Sequence, residues 1–157
     1  MKVRLIAVGT KMPAWVVTAF NEYQKRMPPL CKLELQEVNA QKRGKNVDIS
    51  RVLATEARDI RQQIPADYQT ICLERRGKVI STDDLAREQQ RWIDDNQNIA
   101  LVIGGPEGID KSLLDESIQI WSLSAMTFAH PLVRVMVAEQ LYRAWSINAN
   151  LPYHRGD

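Results

Sequence analysis

Three stretches in the last third of the chain carry residues able to do chemistry: Gly104-Gly105-Pro106-Glu107-Gly108, Ser122-Leu123-Ser124-Ala125-Met126-Thr127 and Tyr153-His154-Arg155. The first follows the apolar run Ala100 to Ile103. A strand that runs into glycines is how an open α/β sheet makes a ligand crevice, because glycine admits close approach to the backbone and accepts φ > 0. The stretch is not a phosphate loop, since no Lys-Ser/Thr pair follows, and it does not fit G-x-G-x-x-G. A rigid glycine turn after a strand suits a nucleoside, although taken alone it reads first as a structural turn with an exposed Glu107. The second stretch sets small and hydroxyl side chains where a loop offers backbone N–H and C=O groups to a ligand; Ser and Thr also simply cap turns. The third joins an aromatic plane, an imidazole and a guanidinium. Stacking, proton handling and phosphate pairing are what a site acting on an RNA base requires, against the alternative of a frayed chain end.

Other charged residues stand at informative places. His130, just ahead of Pro131, reads as a cap or packing residue before a catalyst. Arg134 and Arg143 lie among apolar neighbours, so each needs a partner, either a carboxylate such as Glu139 or a bound phosphate. The formal net charge of +2 hides an asymmetry: residues 1–45 hold nine Lys/Arg against three Glu, and the remainder twelve against sixteen acidic residues. Such a basic third, with Lys42, Arg43 and Lys45 in one polar loop, suits a phosphate-rich partner or is a solvated surface. Of the two cysteines, Cys31 and Cys72, the second sits in the apolar run TICL and reads as a buried free thiol. No metal-binding pattern occurs. The apolar runs are too short for a membrane span and the N-terminus too short for a signal peptide, which predicts a soluble cytoplasmic protein.

The elements that must position these residues follow from periodicity. At 157 residues the chain fits one domain with a real core. Val3 to Val8 reads as a strand ending at Gly9, and Pro13 opens a helix carrying Trp15, Val16, Ala19, Phe20 and Tyr23 on one side. Lys32 to Val38 is a second strand, and Asp48 caps a helix to about Gln63 that Pro65 stops. Gln69 to Leu73 is a third strand, followed by an expected turn over Glu74 to Lys78 around Gly77. Ser81, Thr82 and Asp83 open a helix to about Asp95, Asn98 to Ile103 is a fourth strand, and Ile118 to Leu123 is a candidate fifth. Strands alternating with helices predict a largely parallel sheet covered on both faces. Pro131 opens a final helix to about Asn148 that is apolar nearly all round; it must therefore thread the core or pack against a second subunit.

Taken together, Leu73-x3-Gly77, IGGPEG, SLSAMTFAHPLVRV, EQLYRAWSI and PYHR, with the opening VRLIAVGTKMPAWV and the loop KRGKN, resemble the bacterial large-subunit rRNA pseudouridine N3-methyltransferase family, of the SPOUT class. The likeness spans essentially the whole chain, with least signal from Arg51 to Tyr68. It implies an α/β fold with a trefoil knot, which spacing alone would never suggest because threaded chains are nearly absent among folds. It also implies S-adenosylmethionine as methyl donor, with contacts at Leu73, Gly104, Gly105 and the run Leu123, Ser124, Ala125, Met126, Thr127 and Phe128. The implied substrate is pseudouridine in the helix-69 loop of 23S rRNA on the assembled 70S ribosome, and the implied assembly a homodimer that completes each site. Neither DNA nor a membrane is expected as partner. Tyr153, His154 and Arg155 become candidate catalytic residues, and Lys42, Arg43, Lys45, Arg134 and Arg143 candidate RNA contacts. The rival reading is a non-catalytic ribosome-binding or assembly factor with a vestigial nucleoside pocket. A nucleotide hydrolase is disfavoured by the missing phosphate-loop lysine and acidic metal cluster.

Overall fold

The computed structural model describes residues 1–155. The chain runs β1 (Lys2–Val8), α1 (Ala14–Gln24), β2 (Lys32–Val38), α2 (Ile49–Gln62), β3 (Tyr68–Val79), α3 (Thr82–Asp94), β4 (Asn98–Ile103), α4 (Lys111–Glu116), β5 (Gln119–Ser122), α5 (His130–Asn148) and a closing 3₁₀ turn at Pro152–Arg155. All pairings of the five strands are parallel, in the order β2-β1-β4-β3-β5. The local signals act where expected: the Asp48 carboxylate accepts the Ser50 N–H at 3.0 Å, and Ser81 and Asp84 close a capping box ahead of α3.

Side chains alternate across the sheet with period two. Val3, Leu5, Ala7, Ile71, Ile99, Leu101 and Ile103 face a core built with Phe20, Leu85, Trp92, Val137 and Leu141, so α1, α3 and α5 share that face. Ile6, Val8, Cys72, Ala100 and Val102 face Ala57, Ile60 and Leu113, so α2 and α4 cover the other. Steps in one direction across the sheet, β1 to β2 and β3 to β4, use helices of the first face; the reverse steps, β2 to β3 and β4 to β5, use the second. All four crossovers therefore share one hand, as twisted parallel strands require. Helix α5 packs between α1 and α3. Gln89, fully buried on α3, donates to the Leu141 carbonyl at 2.9 Å, and Asn148 donates back to the Ala86 carbonyl at 2.9 Å.

Two sequence expectations change. The segment Glu74 to Lys78 is not a turn that ends β3. Leu73 and Lys78 both stand opposite Trp121 of β5, so the intervening residues are extruded while the strand continues to Val79. Gly77 makes the return possible, because a Cβ there would lie 2.7 Å from the Ile120 carbonyl oxygen. Helix α4, capped by Asp110 through the Ser112 N–H at 3.1 Å, is too short for periodicity to reveal. Cys31 and Cys72 are both buried free thiols. Among the described residues no helix is long and apolar enough to cross a membrane, and no group of three His, Cys, Asp or Glu side chains gathers into a metal site.

Candidate active site

The carboxyl ends of β3, β4 and β5 converge on a cavity of about 560 Å³. Leu73, Ile103 and Ser122 stand at its floor as the last paired residues of their strand segments. One wall is the turn Gly104 to Gly108, and the other the loop that holds Leu123, Ser124, Met126, Thr127 and Phe128. The turn is tight: Gly108 donates its N–H to the Gly105 carbonyl at 2.9 Å and takes φ of 90°, and a Cβ on Gly104 would lie 2.7 Å from the Gly108 carbonyl carbon. The loop holds itself open through Ser122 Oγ, which donates to the Ser124 carbonyl at 2.9 Å, and Ser124 Oγ, which accepts the Met126 N–H at 3.0 Å. Met126, with 71% of its surface exposed, adds an apolar side chain at the mouth. Of the residues expected at a cofactor, all line this cavity except Ala125, which is exposed in the loop and not part of the lining.

A buried carboxylate and a partly buried guanidinium hold the walls in place. Glu56 on α2, 2% exposed, accepts from Arg43 Nη2 at 3.0 and 3.3 Å and from the Gln41 N–H at 3.0 Å. Arg43 donates Nε to Glu107 of the glycine turn at 2.5 Å and Nη1 to the Gln41 carbonyl at 2.6 Å. Gly105 packs under this clasp, since a Cβ on it would come within 2.8 Å of Arg43 Nη2. The Arg43 guanidinium is thus engaged inside the protein instead of reaching a phosphate, while its neighbours Lys42 and Lys45 are exposed. His130, at the first turn of α5, hydrogen-bonds through Nε2 to the Gly104 carbonyl, the packing role that its position suggests. Burial pushes its pKa below the ordinary value, and the hydrogen bond to the Gly104 carbonyl opposes that shift.

The remaining candidates divide. Arg134, 1% exposed, pairs with Glu37 of β2 at 2.6 Å and donates to the Gly9 carbonyl at 2.7 Å, so it ties α5 to the sheet and is no RNA contact. Arg143 pairs with Glu139 at 2.6 Å, the carboxylate partner that its spacing offers, and lies 4.9 Å over the Tyr153 ring. Residues Pro152–Arg155 form a docked 3₁₀ turn. Tyr153 donates to Glu139 at 3.0 Å and stands 3.2 Å from the Tyr23 hydroxyl, from which it can accept, its ring meets Tyr142 edge-on at 4.8 Å, and burial pushes its hydroxyl pKa up. Tyr153 is a packed strut between α1 and α5. His154 Nδ1 lies 3.2 Å from Ser146 Oγ, and Arg155 donates to Asn150 at 3.1 Å. None of the three lines the cavity. Sequence reasoning missed Glu37 and Glu56, whose partners lie far along the chain, and it missed Glu74, Arg75 and Arg76, which line the mouth from the extruded part of β3. Two adjacent arginines straight after an apolar strand were the available signal.

A glycine turn and a hydroxyl loop facing each other across the carboxyl ends of parallel strands define an open α/β protein with its ligand crevice at the strand tips. The chain belongs to the SPOUT methyltransferase family: the family described as "Predicted SPOUT methyltransferase" matches residues 1–154. It is 46% identical over 155 residues to the ribosomal RNA large subunit methyltransferase H of Thioalkalivibrio sulfidiphilus (strain HL-EbGR7), a match covering 99% of each chain. Two solved structures share its fold at low identity. A probable methyltransferase from Bordetella pertussis Tohama I superposes with a TM-score of 0.60 at 16% identity, over 90% of this chain and 93% of that one. A probable methylase family protein from Haemophilus influenzae Rd KW20 gives 0.58 at 15% identity, over 96% and 69%.

Proposed function

We propose that this chain is a single-domain methyltransferase that moves a methyl group from S-adenosylmethionine to N3 of pseudouridine in the helix-69 loop of 23S rRNA, on the assembled 70S ribosome. The observation that carries this reading is the convergence of the Gly104 to Gly108 turn and the Leu123 to Phe128 loop on one cavity, together with a full-length relative named for large-subunit rRNA methylation. The residues fit the cofactor. A cavity of about 560 Å³ is of small-ligand size, with Leu73, Ile103, Leu123 and Phe128 as apolar surfaces and Ser124, Thr127 and backbone groups as polar ones. When bound, the cofactor supplies an electrophilic methyl on a sulfonium.

The chain's own contribution in this reading is chiefly alignment of the N3 nucleophile with that methyl, with proton removal a smaller term. His154 is the candidate acceptor for the N3 proton, with solvent water as its substitute, and Arg155 the candidate phosphate partner. Because the tail docks on α1 and α5 and does not line its own chain's cavity, the reading requires a homodimer in which one copy's tail serves the other's cavity. Partly exposed Val135, Met136, Tyr142 and Trp145 on α5, with Trp15 55% exposed on α1, support such a contact. The threaded path of α5 that gives the family its knot belongs to the same reading, as does a bacterial cytoplasmic location.

Calorimetric titration with S-adenosylmethionine, followed by methyl transfer to purified 70S ribosomes, tests the assignment. Saturable binding at one site per chain and transfer to N3 of the helix-69 pseudouridine are expected. Ribosome binding without cofactor binding would instead make the protein a non-catalytic assembly factor.

A further inference from the structure

We infer that Arg75 and Arg76 form an RNA-phosphate grip on the rim of the cavity. The inference rests on the reading of this chain as an RNA methyltransferase, and three independent observations support it. The first is placement. Residues 74–77 are extruded from the sheet where Leu73 and Lys78 both face Trp121, and both arginines line the cavity mouth. The second is their lack of partners. Arg4, Arg26, Arg43, Arg58, Arg61, Arg87, Arg91, Arg134 and Arg143 are each paired with a carboxylate, whereas Arg51, Arg75, Arg76 and Arg155 are exposed and make no ion pair among the described residues, and of these four Arg75 and Arg76 line the cavity. The third is local. The one carboxylate beside them, Glu74, is turned onto the Arg76 backbone N–H at 2.6 Å, which bends the segment and leaves both guanidinium groups without a neighbouring counter-charge.

Two adjacent guanidinium groups without counter-charge, at the mouth of a site that a polyanion must approach, suit phosphate oxygens, which arginine engages in bidentate fashion. This site replaces the internally paired Arg43, Arg134 and Arg143 as the cationic rim of the cavity. Exposed Lys78, two residues beyond Arg76 in β3, extends the same positive edge.

The experiment compares wild type, Arg75→Gln/Arg76→Gln and Arg75→Lys/Arg76→Lys. It measures S-adenosylmethionine affinity by calorimetry, and 70S ribosome binding over a series of salt concentrations. The glutamine pair should bind S-adenosylmethionine as wild type does, while the slope of log affinity against log salt flattens by about 1.4 to 1.8 for two lost phosphate contacts. The lysine pair should restore the wild-type slope, since the charge returns. An unchanged slope in the glutamine pair overturns the grip. Loss of S-adenosylmethionine affinity with an unchanged slope also overturns it, and gives the arginines to the carboxylate of the cofactor. Absence of methyl transfer to ribosomes by the wild-type protein removes the functional reading itself; normal wild-type transfer with an unaltered variant slope removes only the grip.

Discussion

His130 shows how a single side chain can set the acid limit of a site. Burial lowers its pKa, with Arg134 adding to the effect and the hydrogen bond to the Gly104 carbonyl opposing it. The unfolded chain takes up a proton there as pH falls through the ordinary value of 6.5, whereas the folded chain resists. Stability from this group is therefore present above that pH and is lost as pH falls below it. The urea midpoint of wild type should drop more between about pH 7.5 and about pH 5.5 than that of His130→Gln, and equal drops would show that His130 is not the group responsible. Tyr153 gives a second residue-scale test. Its hydroxyl serves Glu139 and Tyr23, so Tyr153→Phe should cost about 1.5 kcal/mol in denaturant unfolding, with S-adenosylmethionine affinity unchanged. The types of both residues were legible in the sequence, but their partners were not. Arg143 finds Glu139 one helical turn away and was readable; Arg134 finds Glu37 across the sheet, and nothing local announces that pairing.

At the scale of elements, the strand-helix alternation and the caps were legible because each rests on neighbours in sequence. The extruded segment of β3 was not, because the register that expels residues 74–77 is set by β5, more than forty positions later. The clasp between α2, the 40–46 loop and the glycine turn was hidden for the same reason: Arg43 looks like a surface cation until Glu56 and Glu107 are brought to it. Removing Arg43 leaves a buried carboxylate alone, so Arg43→Ala should destabilise by about 3 kcal/mol in chemical denaturation. Arg43→Ala/Glu56→Met should recover most of that loss by removing the orphaned charge. Its S-adenosylmethionine affinity should stay reduced, because the tether to Glu107 is still missing; calorimetry on the double variant that returned the wild-type affinity would show that the turn needs no clasp.

For the whole molecule, the apolar surface of α5 raises the question of what covers its outer side. Light scattering at micromolar concentration should give twice the 18.0 kDa chain mass, and a strictly monomeric enzyme with full methyl transfer would exclude the shared site. His154→Ala then separates roles within that assembly: retained ribosome binding with lower turnover identifies proton handling, and a pure binding defect identifies positioning. Helix α5 also lies between α1 and α3 and closes the layer that buries one face of the sheet. During synthesis, the inner surfaces of those two helices and the strands beneath them stay uncovered until residues 130–148 have left the ribosomal tunnel. A nascent chain stalled before that point holds all five strands but lacks the helix that seals its core, making the emergence of α5 the step that decides between a native subunit and a client for chaperones.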